Sequence, residues 1–517
     1  MKRFFLALSL VLLVLPFSCK NKGKEATGPA RPIIILHEND VHCAVDGYAL
    51  LAGLRDSLQD SAYVAVVSSG DYLQGGMTGV LSNGSYIMDI QQAVGYDALA
   101  LGNHEFDYFA PRLFELIDQY KAPAVCANLY DARTGERCLP AYTIRQYGPT
   151  KVAFIGVTTP ETEEDEYYAL HDENGEKIYD LKAETLYALV QQTVDEVRAA
   201  GADYVIVLGH LGEAPTAQKV DSHGFIAATT GIDAVLDGHT HSVVPAEYLA
   251  NKDGKPVLIA QTGTAWENIG KLTIATDGTL SHTLVPVAEL TEEDPAVAAV
   301  IADIKQQMEV VSSRVLGDSE VSLTINDPAG KRVSRSGECN LGDLLCDAMR
   351  HWMDADIALA NGGGIRASIP AGTLTYGDII NVFPFVNYVY KIEATGDDIL
   401  QVIEHCTRKA PQEEEGDFPQ CSGIRYTVHT TDRRLSDVAI LRGGEWEPID
   451  PDKTYTVATI NYCVNGGGFG HLFEHCRILR TSDMYYRDAV ANYIVEVLSG
   501  HVGQTYAEPQ GRIRFVK

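Results

Sequence analysis

Five short clusters in the first half of the chain combine imidazole, carboxylate and carboxamide groups with glycine. They are Asn39-Asp40-Val41-His42, Gly70-Asp71, Gly102-Asn103-His104-Glu105-Phe106-Asp107, Gly209-His210 and Gly238-His239-Thr240-His241. Donors of this kind suit Zn, Mn or Fe. Two such ions about 3.5 to 4 Å apart clamp the attacking and leaving oxygens of a phosphoryl group. The set holds enough donors for two. Asp40 and His42 stand two residues apart, as do His239 and His241, and just past a strand end this spacing can present both side chains to one point. Glycine beside the donors lets the backbone turn tightly. A single histidine at a strand end is more often a hydrogen-bonded structural residue, but five clusters in register carry the expectation of a metal centre.

The clusters need elements to hold them. Short apolar, β-branched runs at 33–36, 64–67, 98–101, 152–157, 204–208 and 234–236 alternate with longer helical stretches. Such runs read as buried strands of an α/β layered domain. Nearly every one ends in a polar cluster, and ligands of open α/β sheets sit at the carboxyl ends of strands. Residues 292–311 read as a helix, with Asp294 as cap, Pro295 in the first turn and Val300, Ile304 and Met308 at helical spacing. Beyond about 318 the chain has its own strand and turn signals, two glycine clusters and more arginine near them, which predicts a second domain. A length of 517 residues also exceeds what one core supports.

In order and spacing, these motifs resemble the calcineurin-like metallophosphatase domain of the 5′-nucleotidase family, and the likeness covers nearly the whole mature chain. It implies an N-terminal four-layer α/β/β/α domain over 32–290, a linker helix over 291–317 and a smaller C-terminal α+β substrate-binding domain over 318–517. Carried over by residue, it makes Asp40, His42, Asp71 and His241 ligands of one metal. Asp71 bridges and, with Asn103, His210 and His239, holds the second. His104 matches the catalytic histidine, with Asp107 orienting its ring; the plain alternative for Asp107 is a surface turn residue. The implied cofactors are two divalent ions, zinc first, with Mn, Co or Fe as alternatives.

The resemblance extends to the second domain. Asn361-Gly362-Gly363-Gly364-Ile365-Arg366 follows the apolar run 357–360. Asn361 and Arg366 match residues that grip the substrate, and Arg335 resembles another phosphate-binding arginine; a guanidinium fork suits such oxyanions. Phe385 and Tyr462 match two rings that sandwich a base, where stacking contributes roughly 1 to 3 kcal/mol. One departure stands out. The run Asn465-Gly466-Gly467 is followed by Gly468, where the family usually has a ribose-binding aspartate.

Bulk composition narrows the partners. Lys plus Arg number 41 against 70 Asp plus Glu, a net charge of −29, which makes a nucleic-acid polymer an unsuited partner. The expected partner is a small phosphorylated molecule, a nucleotide first. Lys2 and Arg3 precede an apolar run over 4–15, too short for a membrane span, so 1–19 reads as an export signal. Cys19 resembles a lipoprotein acylation site and 20–31 a tether, so membrane contact is expected only through a lipid on Cys19, at the bacterial periplasm or cell surface; a plain signal peptide is the alternative. No cysteine pair has CxxC spacing, and Cys339 and Cys346 read as small buried hydrophobes near a helix start.

The leading expectation is an exported two-metal phosphohydrolase of nucleoside 5′-phosphates, with nucleotide sugars or 2′,3′-cyclic nucleotides as further substrates. Gly468 keeps open a phosphatase of non-nucleotide esters or a sulfur-compound hydrolase. A surface binding protein without turnover is the non-enzymatic alternative, which the complete ligand set opposes.

Overall fold

The computed structural model describes residues 29–172, 176–213, 220–464, 466–482 and 484–517, without the side chains at 164, 165, 167 and 168. The export segment 1–19, Cys19 and most of the tether lie outside the described residues. No helix among the described residues is long and apolar enough to cross a membrane.

Two sheets stack in the first half. One runs Leu280–Pro286, Asn268–Ile274, Ile33–Glu38, Tyr63–Ser68, Ala98–Leu99, with its last three strands parallel. The other runs Val243–Ala250, Pro256–Thr262, Ala234–Leu236, Tyr204–His210, Thr150–Thr158, Tyr142–Tyr147, parallel at its centre. Successive side chains of a strand face opposite ways, and the strand Ile33–Glu38 uses both faces. Ile33 and Ile35 meet Phe154, Ile206 and Leu208 of the second sheet. Ile34 and Leu36 pack instead on the outer side with Leu51, Ile87, Ile90 and Leu113, which come from helices Asp46–Leu58, Ser85–Val94 and Ala110–Tyr120. The second sheet turns Val157, Val205 and Val207 to helices Leu186–Ala199 and Ser222–Ala228. The result is the expected α/β/β/α stack, with strands read as buried because both their faces are covered.

The run at 98–101 is shorter than expected. Only Ala98–Leu99 form ladder, because the chain leaves the sheet edge after Ala100 donates its N–H to the Ser68 carbonyl. This early departure frees the following residues to loop over the strand ends.

The helix expected at 292–311 runs Pro295–Ser312, with the Asp294 carboxylate accepting from the N–H groups of Ala296 and Val297. Val297, Ile301 and Ile304 are buried in the first half's outer core, so the helix rides on that half. From Leu316 to Ile513 a separate core forms around a five-stranded sheet in the order Pro419–Ser422, Ile357–Asn361, Thr454–Ile460, Val389–Thr395, Arg477–Arg480. Helix Asn340–Met353 contributes Leu341, Leu344 and Met349 to it, and helix Gly396–Thr407 contributes Ile399 and Val402. The nine described cysteines are free thiols, and seven are buried. Cys339 also caps helix Asn340–Met353, its sulfur accepting from the Gly342 N–H at 3.3 Å.

Candidate active site

Each of the five clusters begins where a strand of the stacked sheets ends. Asp40 and His42 follow Ile33–Glu38, Asp71 follows Tyr63–Ser68, Asn103 and His104 follow Ala98–Leu99, His210 ends Tyr204–His210, and His239 and His241 follow Ala234–Leu236. The backbone is forced into the left-handed region at Asp40, His42, Asp71, His239 and His241, with φ of 54°, 44°, 59°, 83° and 55°. Non-glycine residues in this region cost of order 1 to 3 kcal/mol each and persist where surrounding contacts over-determine them. Those contacts are present. The Asp40 N–H donates to the Gly70 carbonyl at 3.0 Å, the His42 N–H to the Asp71 carbonyl at 2.9 Å, and the Asp40 carbonyl accepts from Ala265 N–H at 3.0 Å. Gly102 is required by approach alone: a Cβ there would lie 2.1 Å from Asp71 Oδ1.

The donor atoms converge. Ligand atoms of Asp40, His42, Asp71 and His241 all lie within 4.8 Å of one another. His42 Nε2 faces His241 Nε2 at 3.0 Å, and His241 Nε2 is 3.5 Å from Asp40 Oδ1. Asp71 presents one oxygen to two sides: Oδ2 is 3.8 Å from His42 Nε2 and 3.1 Å from His210 Nε2, while Oδ1 accepts the His104 N–H at 2.9 Å. His210 is fully buried, and its Nδ1 lies 2.8 Å from the Ser69 carbonyl, so Nδ1 carries the hydrogen. Its Nε2 is buried and aimed at two carboxylates, Asp71 Oδ2 at 3.1 Å and Asp40 Oδ1 at 3.8 Å. His239 Nδ1 lies 3.2 Å from Asn103 Oδ1, and its Nε2 lies 2.8 Å from Glu161 Oε2.

Ring nitrogens and carboxylate oxygens converging this closely are the arrangement a divalent cation suits. Electrostatics agrees. His210 is pushed up to about 10: burial opposes the charge, but Asp71 and then Asp40 outweigh it. The pocket calls for positive charge, and Asp40, His42, Asp71, His241, Asn103, His210 and His239 fit two ions by donor type and convergence.

Beside this centre, His104 Nδ1 lies 2.9 Å from Asp107 Oδ1, which leaves Nε2 as the free ring nitrogen. Burial works against protonation of His104, but Asp107, then Asp71, holds it well above the usual histidine range. Asp107 is largely buried, at 7% side-chain exposure, so it is no surface turn residue.

His104 and Asp107 line a cleft of about 430 Å³ whose other wall comes from the second core. Arg335, Asn361, Phe385 and Tyr462 are on that wall. Arg335 Nε is buried without a hydrogen-bond partner, and burial, then Arg332 and Arg366, lowers its pKa. Arg332 is paired with Glu414 through its Nε at 2.7 Å, which leaves Arg335, with Arg366 near it, as the cation suited to an anion in the cleft. Arg366 is exposed beside this wall: its guanidinium stands over the Phe385 ring, 5.7 Å from the ring centre, and donates to the Gly363 carbonyl at 3.4 Å.

Four acidic residues in and around this centre had no role in the sequence reading. Glu105 is fully buried and accepts from the N–H groups of Asp71, Tyr72 and Leu73 at 2.8, 2.8 and 3.1 Å, tying two ligand loops together. Glu161 holds His239, Glu166 lies with His104 and Asp107, and Asp417 lines the cleft. Glu161 follows the strand Thr150–Thr158, so the pattern of polar residues after strand ends pointed to it.

Comparison with known proteins places the two halves of the chain in two families. Residues 33–243 match the calcineurin-like phosphoesterase family, and residues 315–475 match the 5′-nucleotidase C-terminal domain. The chain is 28% identical over 484 residues to the trifunctional nucleotide phosphoesterase protein YfkN of Bacillus subtilis, a match covering 85% of this chain but only 32% of that relative. It spans about a third of that relative's length. It is 27% identical over 557 residues to the 5′-nucleotidase of Bos taurus, covering 94% of this chain and 92% of the relative. The crystal structure of a 5′-nucleotidase precursor from Thermus thermophilus shares the fold, with a TM-score of 0.69 at 24% identity over 94% of this chain and 99% of that one.

Proposed function

Since the chain belongs to the calcineurin-like phosphoesterases that carry a 5′-nucleotidase C-terminal domain, we propose that it hydrolyses phosphate esters of nucleotides, nucleoside 5′-phosphates first. Nucleotide sugars and 2′,3′-cyclic nucleotides are further candidate substrates. The observation that carries this reading is the single cleft with His104 and Asp107 on one wall and Arg335, Asn361, Phe385 and Tyr462 on the other.

In this reading Asp40, His42, Asp71 and His241 hold one divalent ion, zinc first. Asp71, Asn103, His210 and His239 hold a second. Ions so held supply a nucleophile from water and neutralise charge on the phosphoryl oxygens. Arg335 binds the phosphate in the fork geometry that guanidinium offers an oxyanion. Phe385 and Tyr462 stack on the base. His104, held by Asp107 through Nδ1, presents Nε2 to the phosphoryl or leaving oxygen, where negative charge grows. The catalytic domain spans 32–290 and the recognition domain 318–517, joined through 291–317. The N-terminal basic and apolar pattern supports export, with Cys19 as the lipid-bearing residue.

Gly468 favours a second reading, a phosphatase of non-nucleotide esters on the same metal centre. Phosphate release from AMP, UMP, UDP-glucose, 2′,3′-cyclic AMP and p-nitrophenyl phosphate, with Zn, Mn or Co and with His104→Ala as control, separates the two. Preference for the nucleotides supports the first. If p-nitrophenyl phosphate matches or exceeds AMP, the nucleotide reading falls.

A further inference from the structure

On the recognition wall of the cleft, one acidic side chain stands beside the aromatic rings. Asp417 lines the cleft with Asn361, Phe385 and Tyr462. The other acids of the lining, Asp107 and Glu166, lie by His104 on the opposite wall. The space in front of Asp417 is bounded at Gly468: a Cβ built there would lie 3.4 Å from the Tyr462 ring, 3.6 Å from Asp417 Cβ and 3.9 Å from Asn361 Cβ. Asp417, Tyr462 and Asn361 therefore converge on the volume that a side chain at 468 would fill.

The segment bearing Asp417 is fixed to the phosphate-side elements. The Glu415 N–H donates to the Arg335 carbonyl at 2.9 Å, the Gly363 N–H to the Gly416 carbonyl at 2.7 Å, and the Gly362 N–H to the Phe418 carbonyl at 2.7 Å. The carboxylate has weak partners of its own. Arg408 Nη1, Cys406 Sγ and His405 Nε2 lie 3.9, 3.9 and 4.0 Å away, all from Oδ2, and Oδ1 carries none of these contacts. With 17% side-chain exposure, Asp417 is shielded yet open to the cleft.

These contacts engage Oδ2 alone, at 3.9 to 4.0 Å, which leaves Oδ1 of the carboxylate available to a ligand in the cleft. The group it suits is a hydroxyl pair, which donates two hydrogen bonds to an acceptor-only carboxylate. We propose that Asp417 binds the vicinal hydroxyls of a sugar whose base is stacked on Phe385 and Tyr462, so that the cleft selects ribo- over deoxyribonucleotides. The proposal rests on the nucleotide reading above. Asp417 supplies from the 415–418 loop the carboxylate that position 468 lacks.

The test is kcat/KM for AMP, 2′-deoxy-AMP, 2′,3′-dideoxy-AMP and p-nitrophenyl phosphate on the parent, Asp417→Asn, Asp417→Ala and Asp417→Ala combined with Gly468→Asp. A site built around substrate hydroxyls rejects analogues that lack them. The parent is expected to prefer AMP to the dideoxy analogue by about tenfold or more, and both Asp417 variants to bring that ratio within about twofold of one. Taking a ratio within each variant cancels any general loss of fold or turnover. Gly468→Asp should restore the preference in part: φ at 468 is +55°, which strains any side chain though aspartate less than most, and the neighbours stand at ordinary contact distance. The inference is overturned if the parent does not discriminate, or if Asp417→Ala keeps the parent ratio. In either case, AMP and its dideoxy analogue both outpacing p-nitrophenyl phosphate would leave the nucleotide reading standing. If neither outpaces it, both fall.

Discussion

His104 Nδ1 and Asp107 Oδ1 are 2.9 Å apart, three residues from each other on one turn. That pairing fixes the ring plane and leaves a single nitrogen to face the cleft. His104→Ala is expected to lower kcat by about 10²- to 10⁴-fold. Asp107→Asn, which keeps the shape but removes the charge, is expected to cost less, with KM for AMP nearly unchanged. Steady-state kinetics on both variants checks this, and equal effects on kcat and KM would contradict it.

Removal of metal should abolish turnover and also loosen the fold. The five left-handed donor residues and the buried carboxylates then lose the cation that balances them. Exhaustive chelation is expected to lower Tm by several degrees, since a ligand at about 1,000 times its Kd stabilises by about 4 kcal/mol. Metal analysis of replete protein should find about two ions per chain, falling towards one in His210→Ala.

Glu161 holds His239 by Nε2 while Nδ1 turns to Asn103. A carboxylate in this position fixes the tautomer and strengthens the donor. Glu161→Gln is expected to weaken metal affinity by about 10- to 100-fold while kcat at saturating metal stays close to the parent value. Activity titrated against buffered free metal reads both.

Stability in alkaline solution should depend on Asp343. Burial pushes its carboxyl up to about 8, against the pull of Arg512, whose Nε is 3.5 Å away. A carboxyl raised on folding contributes stability that is fully present below its unfolded pKa of about 3.9 and is lost as pH rises towards 8. Asp343→Asn escapes that loss, so the Tm of the variant relative to the parent should climb by a few degrees between pH 5 and pH 9. A flat difference would refute it.

The strand ends were legible because burial on both faces forces apolar runs and chemistry forces polar residues where they stop. Asp40, His42, Asp71, Asn103, His210, His239 and His241 are brought to one place by that rule. Glu105 and Glu161 were not read, since their value lies in whose N–H or ring they reach across the fold. Asp417 follows a run of acids, Glu413-Glu414-Glu415, and nothing in its spacing sets it apart from them. The placement of Arg366 over the Phe385 ring depends on how the Gly362–Gly364 turn aims it, which spacing alone does not give.

The two walls of the cleft belong to separate hydrophobic cores, one ending at Ile304 and the other beginning at Leu316. Reaction and recognition are thereby heritable as separate parts. In the reading proposed above, a lineage can rewrite one wall, trading Asp417, Gly468, Phe385 or Tyr462 for other groups, without disturbing a donor residue on the other. Exchanging the second half for that of a relative is then a direct route to a new substrate with the same chemistry.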